Sequence, residues 1–126
     1  MSWQQYTDTL VNDRGLSKAA LFSRQGDSVW AVTGGLNLAD GELQKLIHGF
    51  DDPSELQASG AHLEGRKYYY LRSDEKSIYL RAQEDGAVAV RTKQAIVLGL
   101  YQAPSLGPVV TAAVERYADY LISQGY

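Results

Sequence analysis

Trp3 and Tyr6 stand one helical turn apart near the N-terminus, and Tyr120 and Tyr126 close the C-terminus. Terminal segments fray unless something docks them, so rings at both ends are a poor way to build a core. They are well suited to lining a groove. An extended proline-rich peptide has a preformed polyproline II shape and loses little entropy on docking between flat rings. The chemistry on offer is recognition: phenolic hydroxyls and an indole N–H can donate to peptide carbonyls, which proline leaves without local donors.

Catalytic chemistry finds little support. The two histidines, His48 and His62, are not at a ligand spacing such as His-x-x-x-His, and His48 near a helix end is favourable to the helix dipole. Gly34-Gly35 lacks the Lys-Ser/Thr that would follow in a phosphate loop. No Gly-x-Ser-x-Gly nucleophile context occurs, and Asp51-Asp52-Pro53 reads as turn chemistry rather than an acid/base pair. The expectation is a binding protein, not an enzyme, with no catalytic residues, no metal site and no cofactor.

Composition narrows the class further. A chain of 126 residues with 44% hydrophobic content suits one compact domain, expected over residues 1–126. Fifteen acidic against twelve basic residues give a net charge of −3, which argues against a general nucleic-acid binder. Without cysteine there is no disulfide framework or thiolate zinc site, in keeping with a reducing compartment. The opening MSWQQYTD lacks the charged and apolar regions of a signal peptide, and no apolar run approaches the roughly 18 residues of a membrane span. A soluble, monomeric, cytoplasmic protein is the expectation.

The elements that would position the rings follow from periodicity. Ser2 can cap a helix over residues 2–12 in which Trp3, Tyr6 and Leu10 share a face, with Asn12 to Gly15 breaking it. Lys18 to Ser23 and Ser28 to Val32 form a hairpin about Gln25-Gly26-Asp27, and Gly34-Gly35 ends it. Asn37 or Asp40 can cap a helix through His48, and Phe50 to Ser59 reads as a turn with a short helical piece. From Ala61 the period changes to short alternating runs: Lys67 to Arg72, Ser77 to Ala82, Ala87 to Arg91 and Ala95 to Tyr101, a meander. After a loop from Gln102 to Pro108 the chain is helical again. Val110, Ala113, Val114, Tyr117 and Leu121 make the buried stripe, and Gly125 ends the helix. The fold class is α+β: a central antiparallel sheet of six or seven strands, the terminal helices on one face and the shorter helices on the other.

Met1-Ser2-Trp3-Gln4-Gln5-Tyr6-Thr7-Asp8, Asp27-Ser28-Val29-Trp30-Ala31, Gly65-Arg66-Lys67-Tyr68, Lys76-Ser77-Ile78-Tyr79, Arg91-Thr92-Lys93-Gln94 and Ala118-Asp119-Tyr120-Leu121-Ile122 together resemble the profilin family. The fungal and amoeboid members are nearest in pattern, and the resemblance runs through essentially the whole chain. It implies a cytosolic, cytoskeletal protein that binds monomeric actin, proline-rich partners such as formin-like assembly factors, and phosphoinositides.

The positions matching the family's proline-rich groove are Trp3, Tyr6, Trp30, Tyr120, Leu121 and Tyr126. Rings ordinarily go to the core, but Tyr117 and Leu121 already fill the inward stripe, so Tyr120 and Tyr126 point elsewhere. The resemblance puts the actin-facing surface at the opposite end, with matching positions Lys67, Arg72, Arg81, Ala87, Thr111, Ala112 and Glu115. Departures fall here: Leu80 replaces a common glycine, Pro108 and Val109 replace a loop glycine and a polar residue, and Ala112 replaces a common Lys or Asn. Pro108 fixes φ and removes a donor. An alternative is a peptide-binding module in which actin binding is weak or lost. Arg66, Lys67, Arg72, Lys76 and Arg81, continued by Arg91 and Lys93, form the basic cluster matching the phosphoinositide site; the plainer account is a solvated strand face with Glu64, Asp74 and Glu75 as partners.

Overall fold

The structure, a computed structural model, describes residues 2–105 and 107–126; Met1 of the opening motif and Leu106 of the expected loop lie outside them. Seven strands form one antiparallel sheet: β1 (Lys18–Ser23), β2 (Val29–Thr33), β3 (Ala61–Leu63), β4 (Arg66–Ser73), β5 (Ser77–Ala82), β6 (Asp85–Arg91) and β7 (Ala95–Tyr101). Their spatial order is β2-β1-β7-β6-β5-β4-β3, so every connection along the second half is to a neighbour. Helices α1 (Trp3–Arg14) and α4 (Gly107–Ser123) cover one face, where Ala19, Leu21, Val88, Val90 and Val97 meet Leu10, Val110, Val114 and Leu121. Helices α2 (Glu42–Asp51) and α3 (Ser54–Ser59) cover the other, over Phe22, Ile78, Leu80, Ile96 and Leu98. The α+β layering read from the sequence is the one observed.

Several boundaries move for identifiable reasons. Helix α1 opens on a capping box, Ser2 Oγ accepting from the Gln5 N–H while Gln5 Oε1 accepts from the Ser2 N–H. It continues through Asn12, Asp13 and Arg14, which had been expected to break it, and stops at Gly15, whose φ of 87° only glycine adopts without strain. Neither Asn37 nor Asp40 caps α2. Its N-cap is Gly41, with no side-chain bond, and Glu42 supplies the anchor instead: the carboxylate accepts the N–H groups of Ala39 (2.8 Å), Glu64 (2.7 Å) and Gly65 (2.8 Å). The β3–β4 turn is thereby tied to the start of α2. Strand β3 had not been expected as a separate element; it is three residues long and exists through its pairing with β4.

Leu80 and Ala87 are opposite one another in the β5–β6 ladder, and both lie in the core beneath α2 and α3, Leu80 fully buried and Ala87 at 1% exposure. Alternation along β5 sends Tyr79 and Arg81 to the other face. Two corrections follow. Ala87 is not part of a surface that could face actin, and the Leu80 departure does not alter such a surface directly.

Candidate functional site

Two surfaces gather the residues singled out by sequence. The first is a continuous row of rings. Helices α1 and α4 run side by side on the sheet in opposite directions, bringing Tyr6 to Tyr120 and Trp3 to the end of the chain, while β2 raises Trp30 beside them. Ring centroids lie 5.2 Å apart for Trp3–Trp30, 4.9 Å for Trp3–Tyr126 (edge-on), 6.4 Å for Trp3–Tyr6 and 5.7 Å for Tyr6–Tyr120. Tyr120 and Tyr126 are 44% and 37% exposed, and Trp3, Tyr6 and Trp30 are half-buried, so the row is open to solvent. Its members support one another in tilted contacts, edge-on only at Tyr126, and remain accessible.

The last ring is held by main-chain bonds. Gly125, at φ 91°, donates to Ile122 O, and Tyr126 N–H reaches back to Leu121 O at 2.9 Å, the paired bonds of a Schellman motif. The main-chain oxygen of Tyr126 then accepts from the Gln94 N–H and from Thr92 Oγ1 (2.8 Å). The Gly125 stop read from the sequence is therefore also what aims Tyr126.

Leu121 does not belong to this row. At 1% exposure it packs into the core under α4, as the helical stripe required, so a peptide laid on the rings cannot touch it. Tyr117, assigned to that stripe, turns out to support the row: its ring stacks on Tyr6 at 4.9 Å while 8% of the residue is exposed. Burial pushes the Tyr117 phenol well above its ordinary value, and among the described residues its hydroxyl has no hydrogen-bond partner. Tyr6 Oη donates to Tyr120 Oη at 3.2 Å, and that bond raises the Tyr6 phenol in turn. The site can offer apolar ring faces together with hydroxyl and indole donors.

The second surface is a hollow of about 590 Å³ between the outer face of β4 and β5 and the first turns of α4. Five of the seven residues expected to face actin line it: Arg72, Arg81, Thr111, Ala112 and Glu115. Pro108 also lines it, inside the first turn of a helix that begins at Gly107, where a missing N–H costs little. Lys67 lies outside the hollow, its ammonium 5.1 Å from the centre of the exposed Tyr69 ring. Sequence reading missed Leu71, Tyr79 and Tyr101, which also line the hollow. Arg72 stacks over Tyr79 at 4.1 Å, and Tyr79 Oη donates to Glu115, so one cation and one carboxylate are held by the same ring. The β4–β5 register slips between Tyr70 and Arg72, an irregularity no periodicity announces, and Leu71 and Arg72 both reach the hollow as a result.

The basic cluster does not form one patch. Arg66 pairs with Asp85 at 2.8 Å and donates to Ala82 O, while Lys76 pairs with Asp119 across the far end of the sheet. Arg91 pairs with Asp51 at 2.9 Å. Glu64, Asp74 and Glu75 are not the carboxylate partners of these cations: Glu64 holds Lys18, Asp74 accepts the N–H groups of Lys76 and Ser77, and Glu75 offers Arg91 only its carbonyl. His48 and His62 line a separate hollow of about 220 Å³ beside α2 and α3. Among the described residues no group of three or more His, Asp or Glu side chains is arranged to hold a metal, and no helix is long and apolar enough to cross a membrane.

Comparison with known proteins covers the whole chain. A family profile described as Profilin matches residues 1–126. A profilin of Saccharomyces cerevisiae is 44% identical over 126 residues, all of both chains. The crystal structure of Acanthamoeba castellanii profilin II superposes with a TM-score of 0.93 at 32% identity, over 99% of this chain and 100% of that one. Mouse profilin IIa, solved in complex with a double repeat from the FH1 domain of mDia1, shares the fold over the full length of both chains with a TM-score of 0.80 at 21% identity. Carrying the seven-stranded sheet, the flanking terminal helices and a sequence alike from end to end, this chain belongs to the profilin family.

Proposed function

We propose that this protein binds monomeric actin and regulates its polymerisation from the cytoplasm, and holds proline-rich segments of assembly factors on a second surface. The observation that carries the peptide half is the solvent-open row of Trp3, Tyr6, Trp30, Tyr120 and Tyr126, contributed by both termini and one strand. A polyproline II helix presents flat pyrrolidine faces to such rings and bare carbonyls to their donors. Mouse profilin IIa was solved with an FH1 double repeat, and a segment of that kind is the ligand proposed here.

Actin is assigned to the hollow at Arg72, Arg81, Thr111, Ala112 and Glu115, with Tyr79 and Tyr101 added to the expected set. Its mixture of arginine, carboxylate and aromatic groups suits a specific protein contact. With Arg66 and Lys76 already held by carboxylates, an anionic phosphoinositide headgroup is assigned to Arg72 and Arg81, and competes there with actin. Ala112 and Pro108 bring no polar side-chain group to the hollow, which favours as second reading a peptide-binding module with weakened actin affinity.

Retention on immobilised polyproline, lost on Trp3→Ala or Tyr126→Ala, tests the groove. Actin assembly assays test the hollow: the protein should suppress spontaneous nucleation, and Arg72→Glu or Arg81→Glu should relieve that while leaving polyproline retention intact. No effect on nucleation at large excess selects the module. Loss of both activities in a variant that still melts like the parent refutes the assignment of two surfaces.

A further inference from the structure

The ring row does not end at Tyr6 and Tyr120. Tyr6 and Tyr117 also wall a second hollow, of about 500 Å³, that continues between α1 and α4 toward the C-terminus of α1. Exposed Val109 lines it, and so do Arg14, Arg116 and Asp13. The two arginines are exposed and, among the described residues, neither makes an ion pair, in contrast to Arg66 and Arg91 on the sheet. One aspartate against two arginines leaves this extension with an excess positive charge at the end of a trough in a chain that is acidic overall.

We propose that the groove reads the sequence beside the proline tract, and that its preferred ligands carry an acidic residue seated between Arg14 and Arg116. The proposal rests on the reading of the ring row as a proline-rich-peptide site, and names the class of peptide it selects. Spacing makes it specific. Arg116 is one turn of α4 from Tyr120, about 6 Å along the axis, and Arg14 is eight residues from Tyr6, about 12 Å. A polyproline II chain advances about 3.1 Å per residue, so the acid belongs roughly two to four residues beyond the prolines at the Tyr6–Tyr120 pair. The two arginines supply discrimination: a lysine at the same peptide position meets two like charges, which Asp13 offsets only in part.

The test is titration of the full chain by fluorescence anisotropy with a labelled proline decamer, and with decamers extended on either flank by glutamates or by lysines. The glutamate peptide of one flank should bind more tightly than the bare decamer, by up to about fivefold for each ion pair at a surface, and the gain should shrink at high salt. Arg116→Ala and Arg14→Ala should each reduce the gain while leaving decamer affinity unchanged, and Asp13→Asn should increase it. Equal affinity for glutamate and lysine peptides on both flanks, or a glutamate gain that survives removal of both arginines, overturns the proposal while the groove stands. A decamer that does not bind at all overturns the groove reading and this inference with it.

Discussion

Replacing Gly125 by alanine should weaken proline-peptide binding although Gly125 contributes no ring to the row. Gly125 sits at φ 91°, and a Cβ there would meet no heavy atom within 4 Å, so the whole penalty is backbone strain. Left-handed φ costs a non-glycine residue about 1–2 kcal/mol. Against it stands the docking of the last residues. Two bonds to the Tyr126 oxygen and the Schellman N–H contribute about 1 kcal/mol each, and edge contacts of the ring with Trp3 and Trp30 add about 1 kcal/mol more. Ordering Gln124, Gly125 and Tyr126 costs about 3 kcal/mol.

The net docking free energy is then about 1 kcal/mol, no larger than the strain. Alanine at 125 brings the docked fraction from most of the population to between half and about one sixth, and the apparent affinity falls about two- to fivefold. Calorimetric titration with a proline peptide reads the loss. Tyr126→Ala, which deletes the ring itself, should lose at least as much, and the double variant should be no weaker than Tyr126→Ala alone. Gly41→Ala is the matched control: φ is 84°, its Cβ also meets nothing, and it lies at the start of α2 on the other face. Any gain from a stiffer unfolded chain is common to both. Gly41→Ala should lower the melting temperature by about 4–8 °C and leave peptide affinity unchanged. Wild-type affinity in Gly125→Ala with the Tyr126 amide still protected from exchange, or an equal affinity loss in Gly41→Ala, refutes the argument.

Gly86→Ala addresses the other surface: a Cβ on Gly86 would overlap the outer end of the Tyr101 ring, which lines the hollow, so the ring must leave its present place in that wall. Actin association should fall several-fold in a co-sedimentation assay with polyproline retention unaffected; unchanged actin binding removes Tyr101 from the contact. Stability should fall on both sides of neutrality. Thr33 and Gln4 hydrogen bonds lower the Asp8 carboxyl, Arg91 lowers Asp51, and Arg66 with the Ala103 N–H lowers Asp85. Groups depressed in the fold stabilise it above their unfolded values, near 4, and that stabilisation is lost as the pH falls through the folded values. The Tyr6 and Tyr117 phenols are raised, by the bond to Tyr120 and by burial respectively, so their contribution is complete below about 10 and lost as the pH rises beyond it. Thermal melts across pH check both limbs, and a melting temperature that climbs above pH 10 contradicts the tyrosine environment described.

The sequence made legible whatever depends on local period. Strands β1, β5 and β7 have the bounds their flanking turn residues announce, because a strand between two turn signals needs no knowledge of its partner. Strand β3 does not: three residues carry no period, and Ala61, His62 and Leu63 become a strand only because Tyr68, Lys67 and Arg66 lie opposite. The start of α2 was hidden for the same reason. Asn37 and Asp40 are good capping types, but Glu42 captures N–H groups from residues 64 and 65 as well as from Ala39, and that proximity belongs to the fold. Leu121 teaches the opposite lesson. Helical phase already placed it inward, family resemblance placed it in the groove, and the structure sides with phase.

Both proposed surfaces are borne by α4, and the phase of that helix explains how one short element can serve two ligands. Ala113, Arg116, Tyr117 and Tyr120 look toward α1 and its extension of the ring row, whereas Pro108, Thr111, Ala112 and Glu115 look across β4 and β5. Between them runs the buried stripe of Val110, Val114, Ala118 and Leu121, each 2% exposed or less. A ligand on one flank therefore need not displace a ligand on the other, which is the condition for a tethered proline-rich factor to raise the local concentration of bound actin. The same geometry fixes what a substitution can mean. A change in the stripe, such as Leu121→Ala, opens a cavity beneath both flanks at a cost of about 2–5 kcal/mol and should weaken both ligands together. Arg72→Glu or Tyr120→Ala alters one flank while leaving the stripe packed, so only such flank variants can report on either surface alone.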